Sequence, residues 1–427
     1  MASRDAGSDD TSQVLTEAKG CVRTIILNRP RQLNALSYQM RKNKVQANLQ
    51  FTKEETSIVN ASEEYNSVYV HKKRNILLER NKYSSTESIS KLLKLFPAYE
   101  VDPEVKLLIM KGEGRAFCAG GDVAAVVKAV VKDHWSHGAN FFRNEFILNY
   151  IISTYSKPQV SILNGIVMGG GAGVSIHGKF RVATETSVFA MPETALGLFP
   201  DIGASYFLSR LPGNFGEYVG LTGVRLDGAE MLACGLATHF VPSTRLSLLE
   251  ESLIQKGPSD PEVISAVINK FSELPSLKQA SAYNRLDIID RCFCKGTVEE
   301  IICELELEAR SCPDEWIKEA IRSLKKASPL SLKISLRSIR EGRTQGVDQC
   351  LIREHRMVSH ILRGQISKDF FEGCRAILVD KDKNPKWEPS KLELVTEEMV
   401  RKYFARVDDP EWEELSLPRR GTGKSKL

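Results

Sequence analysis

Apolar residues change their period repeatedly along the chain. Residues 21–27 run apolar with β-branched side chains and end at Asn28-Arg-Pro30, which predicts a first strand closed by a turn. Residues 33–40 begin a helical pattern that resumes only at 89–99. A strand follows at 105–110, then a glycine turn and a helix at 123–131. The next helix, 141–152, carries Phe142, Phe146 and Tyr150 on one face at i, i+4, i+8, and Pro158 stops that segment. Beyond it the pattern predicts a strand at 160–167, a glycine run, a helix at 173–177, and strands at 180–183 and 188–191. Strands alternating with helices imply an α/β architecture. From residue 216 onward the period is mostly helical, with amphipathic stretches at 299–308, 314–324, 329–337 and 348–361 and a soft boundary near 258–261.

Residues 41–88 stand apart. They are rich in Lys, Asn, Glu and Ser, hold no sustained period, and read as a disordered insertion. A lineage-specific element and translated non-coding sequence fit the composition equally.

The whole chain of 427 residues suits one large domain with an appendage, or two domains. Its 42% hydrophobic and 26% charged residues are those of an ordinary soluble protein, and no apolar run reaches bilayer length. A net charge of +5 slightly favours anionic partners but is no nucleic-acid footprint. Nine cysteines without a framework imply a reducing compartment, and Cys292-Phe-Cys294 lacks the second pair that a zinc site needs. His134 and His137 also have no cysteine or carboxylate at ligand spacing, so no metal is expected. The N-terminal residues show neither signal-peptide nor transit-peptide character, whereas Ser425-Lys426-Leu427, after a basic flexible stretch, reads as the tripeptide recognised by the peroxisomal import receptor.

The candidate chemistry lies in two glycine-ended apolar runs, Arg115-Ala-Phe-Cys-Ala-Gly-Gly-Asp122 and Asn164-Gly-Ile-Val-Met-Gly-Gly-Gly171. Each can present a bare backbone N–H, and two such donors make an oxyanion hole. Two carboxylates follow, in Phe189-Ala-Met-Pro-Glu193 and Leu198-Phe-Pro-Asp201. A dinucleotide fingerprint fits worse, because the glycines of 169–173 lack its spacing. Together these segments resemble the crotonase (enoyl-CoA hydratase/isomerase) superfamily and, within it, the 3-hydroxyisobutyryl-CoA hydrolase branch. The likeness spans roughly 22–40 and 89–407, and 369–375 with 380–387 resemble the C-terminal signature of that branch.

The resemblance implies a crotonase-like spiral of ββα units over 12–256, with 33–40 and 89–99 as one interrupted helix. A helical C-terminal region would fill 257–410 and a flexible tail 411–427. It gives the oxyanion donors as the N–H groups of Gly121 and Gly170, and Glu193 as the principal carboxylate, either attacking a thioester carbonyl or activating water. Asp201 would orient the 3-hydroxyl of the acyl group or the water, and Glu145 would shape the pocket. Arg29, Leu33 and Ala35 would line the CoA groove, Arg29 facing a phosphate. Hydratases of the superfamily carry a second glutamate just after the glycine run, where this chain has Gly173. The expected activity is therefore hydrolysis of a short branched 3-hydroxyacyl-CoA, with CoA as part of the substrate, no separate cofactor, and possible homo-oligomers. A hydratase or isomerase, and a silent scaffold or misspliced product, are the rivals. For each acid a surface ion pair or helix cap is the plainer alternative.

Overall fold

A computed structural model describes residues 12–38, 88–311, 314–410 and 412–420. The chain opens with an antiparallel hairpin, β1 (Val14–Lys19) on β2 (Val22–Leu27), in the register Val14↔Leu27. Then come α1 (Ser88–Val101), β3 (Leu107–Gly112) and β4 (Ala116–Cys118). Two helices follow, α2 (Val123–Lys132) and α3 (Trp135–Ser153). Next are β5 (Gln159–Leu163), β6 (Ile166–Met168) and the four-residue α4 (Gly170–Gly173). Strands β7 (Phe180–Ala183) and β8 (Val188–Ala190) lead to α5 (Ala204–Leu208) and α6 (Phe215–Thr222). The core is completed by β9 (Leu226–Asp227), α7 (Gly228–Ala233), β10 (His239–Phe240), α8 (Leu246–Lys256) and α9 (Pro261–Asn269).

One sheet has the order β1-β2-β3-β5-β7-β10 and the other β4-β6-β8-β9. The pairs β3/β4, β5/β6 and β7/β8 each send one strand to either sheet before the chain turns into a helix. That repeat is the ββα spiral, and it explains why the expected single strand 160–167 is two. At Gly165, with φ +87°, the chain turns from one sheet to the other, and a Cβ there would lie 2.3 Å from Arg115 O. Along β3, Leu107 and Ile109 face a cluster with Leu249, Leu253, Ile264 and Val267, while Leu108 and Met110 face Leu92 and Phe96. Both faces of the strand are thus covered, as its unbroken apolar run requires.

The helical region follows: α10 (Leu286–Phe293), α11 (Val298–Ser311), α12 (Glu315–Lys326), α13 (Pro329–Gly342), α14 (Val347–Arg363), α15 (Asp369–Cys374) and α16 (Glu397–Phe404). It shares one apolar cluster with the core, and α14 lies along α3.

Several expectations are corrected. Residues 33–38 are not helical: Leu33 and Asn34 have φ of 51° and 58°, and Leu36 bridges to Gly121 in parallel fashion. The Leu33/Leu36 spacing that reads as helical serves that bridge instead. The helix placed at 173–177 is α4, ending where it was expected to begin. The soft boundary at 258–261 falls inside one layer, since α8 and α9 share the apolar cluster under the first sheet. Residues 412–420, read as flexible tail, are fastened. Trp412 stacks on His355 at 6.3 Å and donates to Ser359 Oγ at 3.1 Å, Leu415 is buried, and Arg420 grips both oxygens of Glu100 at 2.5 and 2.6 Å. Of the segment 41–88 only Ser88 is described; the rest lies outside the described residues, as does Ser425-Lys426-Leu427. At the segment's neck Ile89 N–H donates to Ser37 O at 3.0 Å, and Ser37 N–H to Ser88 Oγ at 2.7 Å.

Candidate active site

The two expected oxyanion donors are neighbours, and the hydrogen bonding around them leaves both free to point inward. Leu36 donates to Gly120 O and accepts from Asp122 N–H, each at 2.8 Å, so in this parallel bridge the intervening Gly121 amide faces the other way. Gly170 is the first residue of α4, where a helix leaves its N–H groups without internal partners. A Cβ on Gly170 would sit 3.1 Å from Gly121 N and 2.3 Å from Glu145 Oε1, so no other residue fits there unless the wall moves.

Helix α3 supplies that wall. Phe141, Glu145 and Asn149 form one stripe at i, i+4, i+8 and meet three glycines in turn. Cβ atoms on Gly121, Gly170 and Gly173 would lie 3.0 Å from Phe141, 2.3 Å from Glu145 and 2.7 Å from Asn149 Nδ2. This stripe adjoins the Phe142/Phe146 stripe that the hydrophobic period picks out, and both are buried. At Gly173 the added Cβ would also meet Ile202 Cβ at 3.0 Å. A hydratase-type glutamate therefore has no room where the resemblance would put it.

Glu193 opens a short 3₁₀ turn, Glu193–Leu196, after β8, and its Oε1 is 3.0 Å from a Cβ built on Gly169. Glu145, Glu193 and Asp201 are 2%, 5% and 4% exposed, which removes the plainer reading of surface ion pairs. Glu145 Oε1 and Glu193 Oε2 have no hydrogen-bond partner among the described residues. Burial pushes the Glu145 carboxyl up to about 8. It does the same to Glu193, again to about 8, with repulsion from Glu145 adding to it. Asp201 is raised well above the usual range by burial first, then by Glu145, Glu193 and Glu354. Burial and mutual repulsion thus both favour the protonated forms, the condition under which a carboxyl group works as acid or base near neutrality.

Asp201 is held by the turn that follows it. Ile202 has φ +59°, a strained conformation for a β-branched residue. His177 Nε2 donates to Ile202 O at 2.8 Å; burial lowers the His177 pKa to about 4, which keeps the ring neutral. From α14, Glu354 accepts the Gly203 N–H at 2.6 Å, the Ser205 N–H at 3.1 Å and the Ser205 hydroxyl at 2.5 Å. Arg353 Nη2 joins at Ser205 Oγ, 2.8 Å away. The C-terminal region thus sets the geometry of a core carboxylate.

The expected CoA-groove residues lie beside the glycine loop: Leu33 O accepts the Ala119 N–H at 2.9 Å. Arg29 is engaged internally, with Nη1 on Ala35 O at 2.6 Å and Nη2 on Asp122 Oδ2 at 3.2 Å. A phosphate would have to compete with that pair. Sequence reasoning missed Asn149, Glu354 and His177; only Asn149 left a signal, one helical turn beyond Glu145.

A family model described as enoyl-CoA hydratase/isomerase matches residues 76–404. The chain belongs to the enoyl-CoA hydratase/isomerase family. Within the family it is 60% identical to 3-hydroxyisobutyryl-CoA hydrolase 1 of Arabidopsis thaliana, over 96% of this chain and 95% of that protein. It is 39% identical to the mitochondrial 3-hydroxyisobutyryl-CoA hydrolase of Homo sapiens, over 93% and 89%. Among solved structures, a carnitinyl-CoA dehydratase from Mycobacterium thermoresistibile aligns with a TM-score of 0.73 at 32% identity, covering 95% of this chain and 98% of that one.

Proposed function

We propose that this family member hydrolyses 3-hydroxyisobutyryl-CoA to 3-hydroxyisobutyrate and CoA, a step of valine breakdown. The observation that carries the reading is the group of buried acids Glu145, Glu193 and Asp201, with Glu145 against Gly170 and Gly121 and Glu193 against Gly169. Its support is the likeness to the 3-hydroxyisobutyryl-CoA hydrolases, at 60% identity for hydrolase 1 of Arabidopsis thaliana. In this reading the thioester oxygen lies between the two amides, whose bonds strengthen as it gains charge. Glu193, once deprotonated, attacks the carbonyl carbon to form a mixed anhydride and release CoA thiolate, the anhydride then being hydrolysed by water, or it takes a proton from a water that attacks the carbonyl and expels the thiolate directly. Asp201 binds the 3-hydroxyl, and Glu145 closes the polar end of the pocket. Hydration of an enoyl thioester is disfavoured by the lack of room for a glutamate at Gly173. The residues require no metal or redox group for this chemistry. Free thiol released from 3-hydroxyisobutyryl-CoA tests the reading, and efficient hydration of crotonyl-CoA with no thiol release would refute it. We extend the proposal to the peroxisome, on the strength of Ser425-Lys426-Leu427. A fluorescent reporter ending in these residues should enter peroxisomes and lose that location without Leu427.

A further inference from the structure

Asn149 is fully buried, yet neither its Nδ2 nor its Oδ1 has a hydrogen-bond partner among the described residues. An orphaned amide in a protein interior costs stability, so a sequence free to vary would replace it with an apolar side chain of similar size. Its surroundings say what it faces. It lies on the α3 stripe with Glu145, Nδ2 against Gly173, and Ile202, the residue after Asp201, meets the same point from the other side. From Gly170, at the oxyanion amides, to Gly173 is three residues of helix, a rise of roughly 4.5 Å. The oxygen of a 3-hydroxyl, three bonds of about 1.5 Å beyond the thioester carbon, lies on the same scale.

We infer that Asn149 is a specificity-determining residue that donates a hydrogen bond from Nδ2 to the oxygen of the substrate's 3-hydroxyl, opposite Asp201. This rests on the thioesterase reading above and adds to it the group that selects hydroxylated acyl chains. The hydroxyl has two needs, an acceptor for its proton and a donor for its lone pairs, and a carboxylate once ionised for the reaction answers only the first. Unlike a carboxylic acid, the amide cannot deliver a proton to that oxygen, so it holds the C3–O bond without activating it for departure.

The test uses the full chain with Asn149→Leu and Asn149→Ala, on 3-hydroxyisobutyryl-CoA and isobutyryl-CoA, which differ only by the hydroxyl oxygen, with thermal melting recorded for each variant. The expected result is that kcat/KM for the hydroxylated thioester falls about tenfold or more while that for isobutyryl-CoA stays within about threefold. Asn149→Leu should melt at or above the wild-type temperature, which separates lost selectivity from lost folding. Equal losses on both substrates, as when the amide orients the attacking water, would overturn the inference, and so would an unchanged preference. In either case thiol release by the wild type leaves the thioesterase reading standing; a wild type that releases no thiol from either substrate overturns both.

Discussion

On the strand side of the site, backbone approaches backbone: a Cβ on Gly171 would meet Cys118 O at 2.1 Å, and one on Gly165 would meet Arg115 O at 2.3 Å. On the helix side the groups presented are long polar side chains from α3 and α14, buried and in part unpartnered. The first side gains stability from its close approach. The second loses it, because a buried polar group without a bond is costly. Changes on the strand side should therefore fail by collision, and changes to the unpartnered acids should remove chemistry while sparing or raising stability.

The sharpest break is Glu193→Gln, which keeps the shape and removes the charge. Thiol release should fall by about 10³ or more, with substrate binding largely kept and the melting temperature equal or higher. Activity within tenfold of wild type would detach the acid side from the chemistry. Gly170→Ala keeps its N–H but must shift it, since the added Cβ meets Glu145 Oε1 at 2.3 Å, and should cost about 10²–10³ in kcat, as for a misplaced oxyanion donor. Unlike the glutamine variant, it should also lower the melting temperature, because the new methyl group meets Glu145.

Much of the strand side was legible in the sequence, for a physical reason. Where backbones touch, only glycine fits, so Gly120-Gly121 and Gly169-Gly-Gly171 appear as letters. Glu193 and Asp201 were legible by their place after those runs. Glu354 and His177 were not, because a residue that clamps another's turn from 151 or 25 positions away has no local period. Strand β1 escaped notice since Val14 alone in it is buried, leaving no alternation to read. Trp412 and Leu415 are isolated apolar residues in a polar stretch, and their burial depends wholly on α3 and α14 being there.

A smaller effect should follow Glu354→Ala, which, unlike a change at an unpartnered acid, frees the bonded Gly203 and Ser205 amides. Chemical denaturation should show a loss of about 3 kcal/mol, and kcat/KM should drop about tenfold as the Asp201 turn slackens. The two sides also separate by pH. Because burial raises Glu193 to about 8, kcat/KM should climb about tenfold per unit up to that pH and then level. Stability should move the opposite way. The folded state binds protons that the unfolded chain releases near pH 4.5, so the melting temperature should fall as pH rises from there toward 8. A scan in which both rise together would contradict the raised pKa of Glu193. The smallest effect is expected from ending the chain after residue 411, which uncovers His355 and removes the Trp412 and Leu415 contacts. The melting temperature should drop by a few degrees, with kcat/KM within about threefold, since the contacts of Trp412 and Arg420 go to His355, Ser359 and Glu100 and not to the acids.

The neck at Ser37 and Ser88 has a use of its own. The host closes that gap with its own two hydrogen bonds, so the length of chain spanning it is nearly a free variable. Loop-closure entropy grows by only about 0.6 kcal/mol for each doubling of length. A protein engineer can treat the position as a port: a foreign domain whose ends lie close together, or a circularly permuted reporter, can be spliced between residues 38 and 88. The receiving fold then need only re-form a contact it already makes.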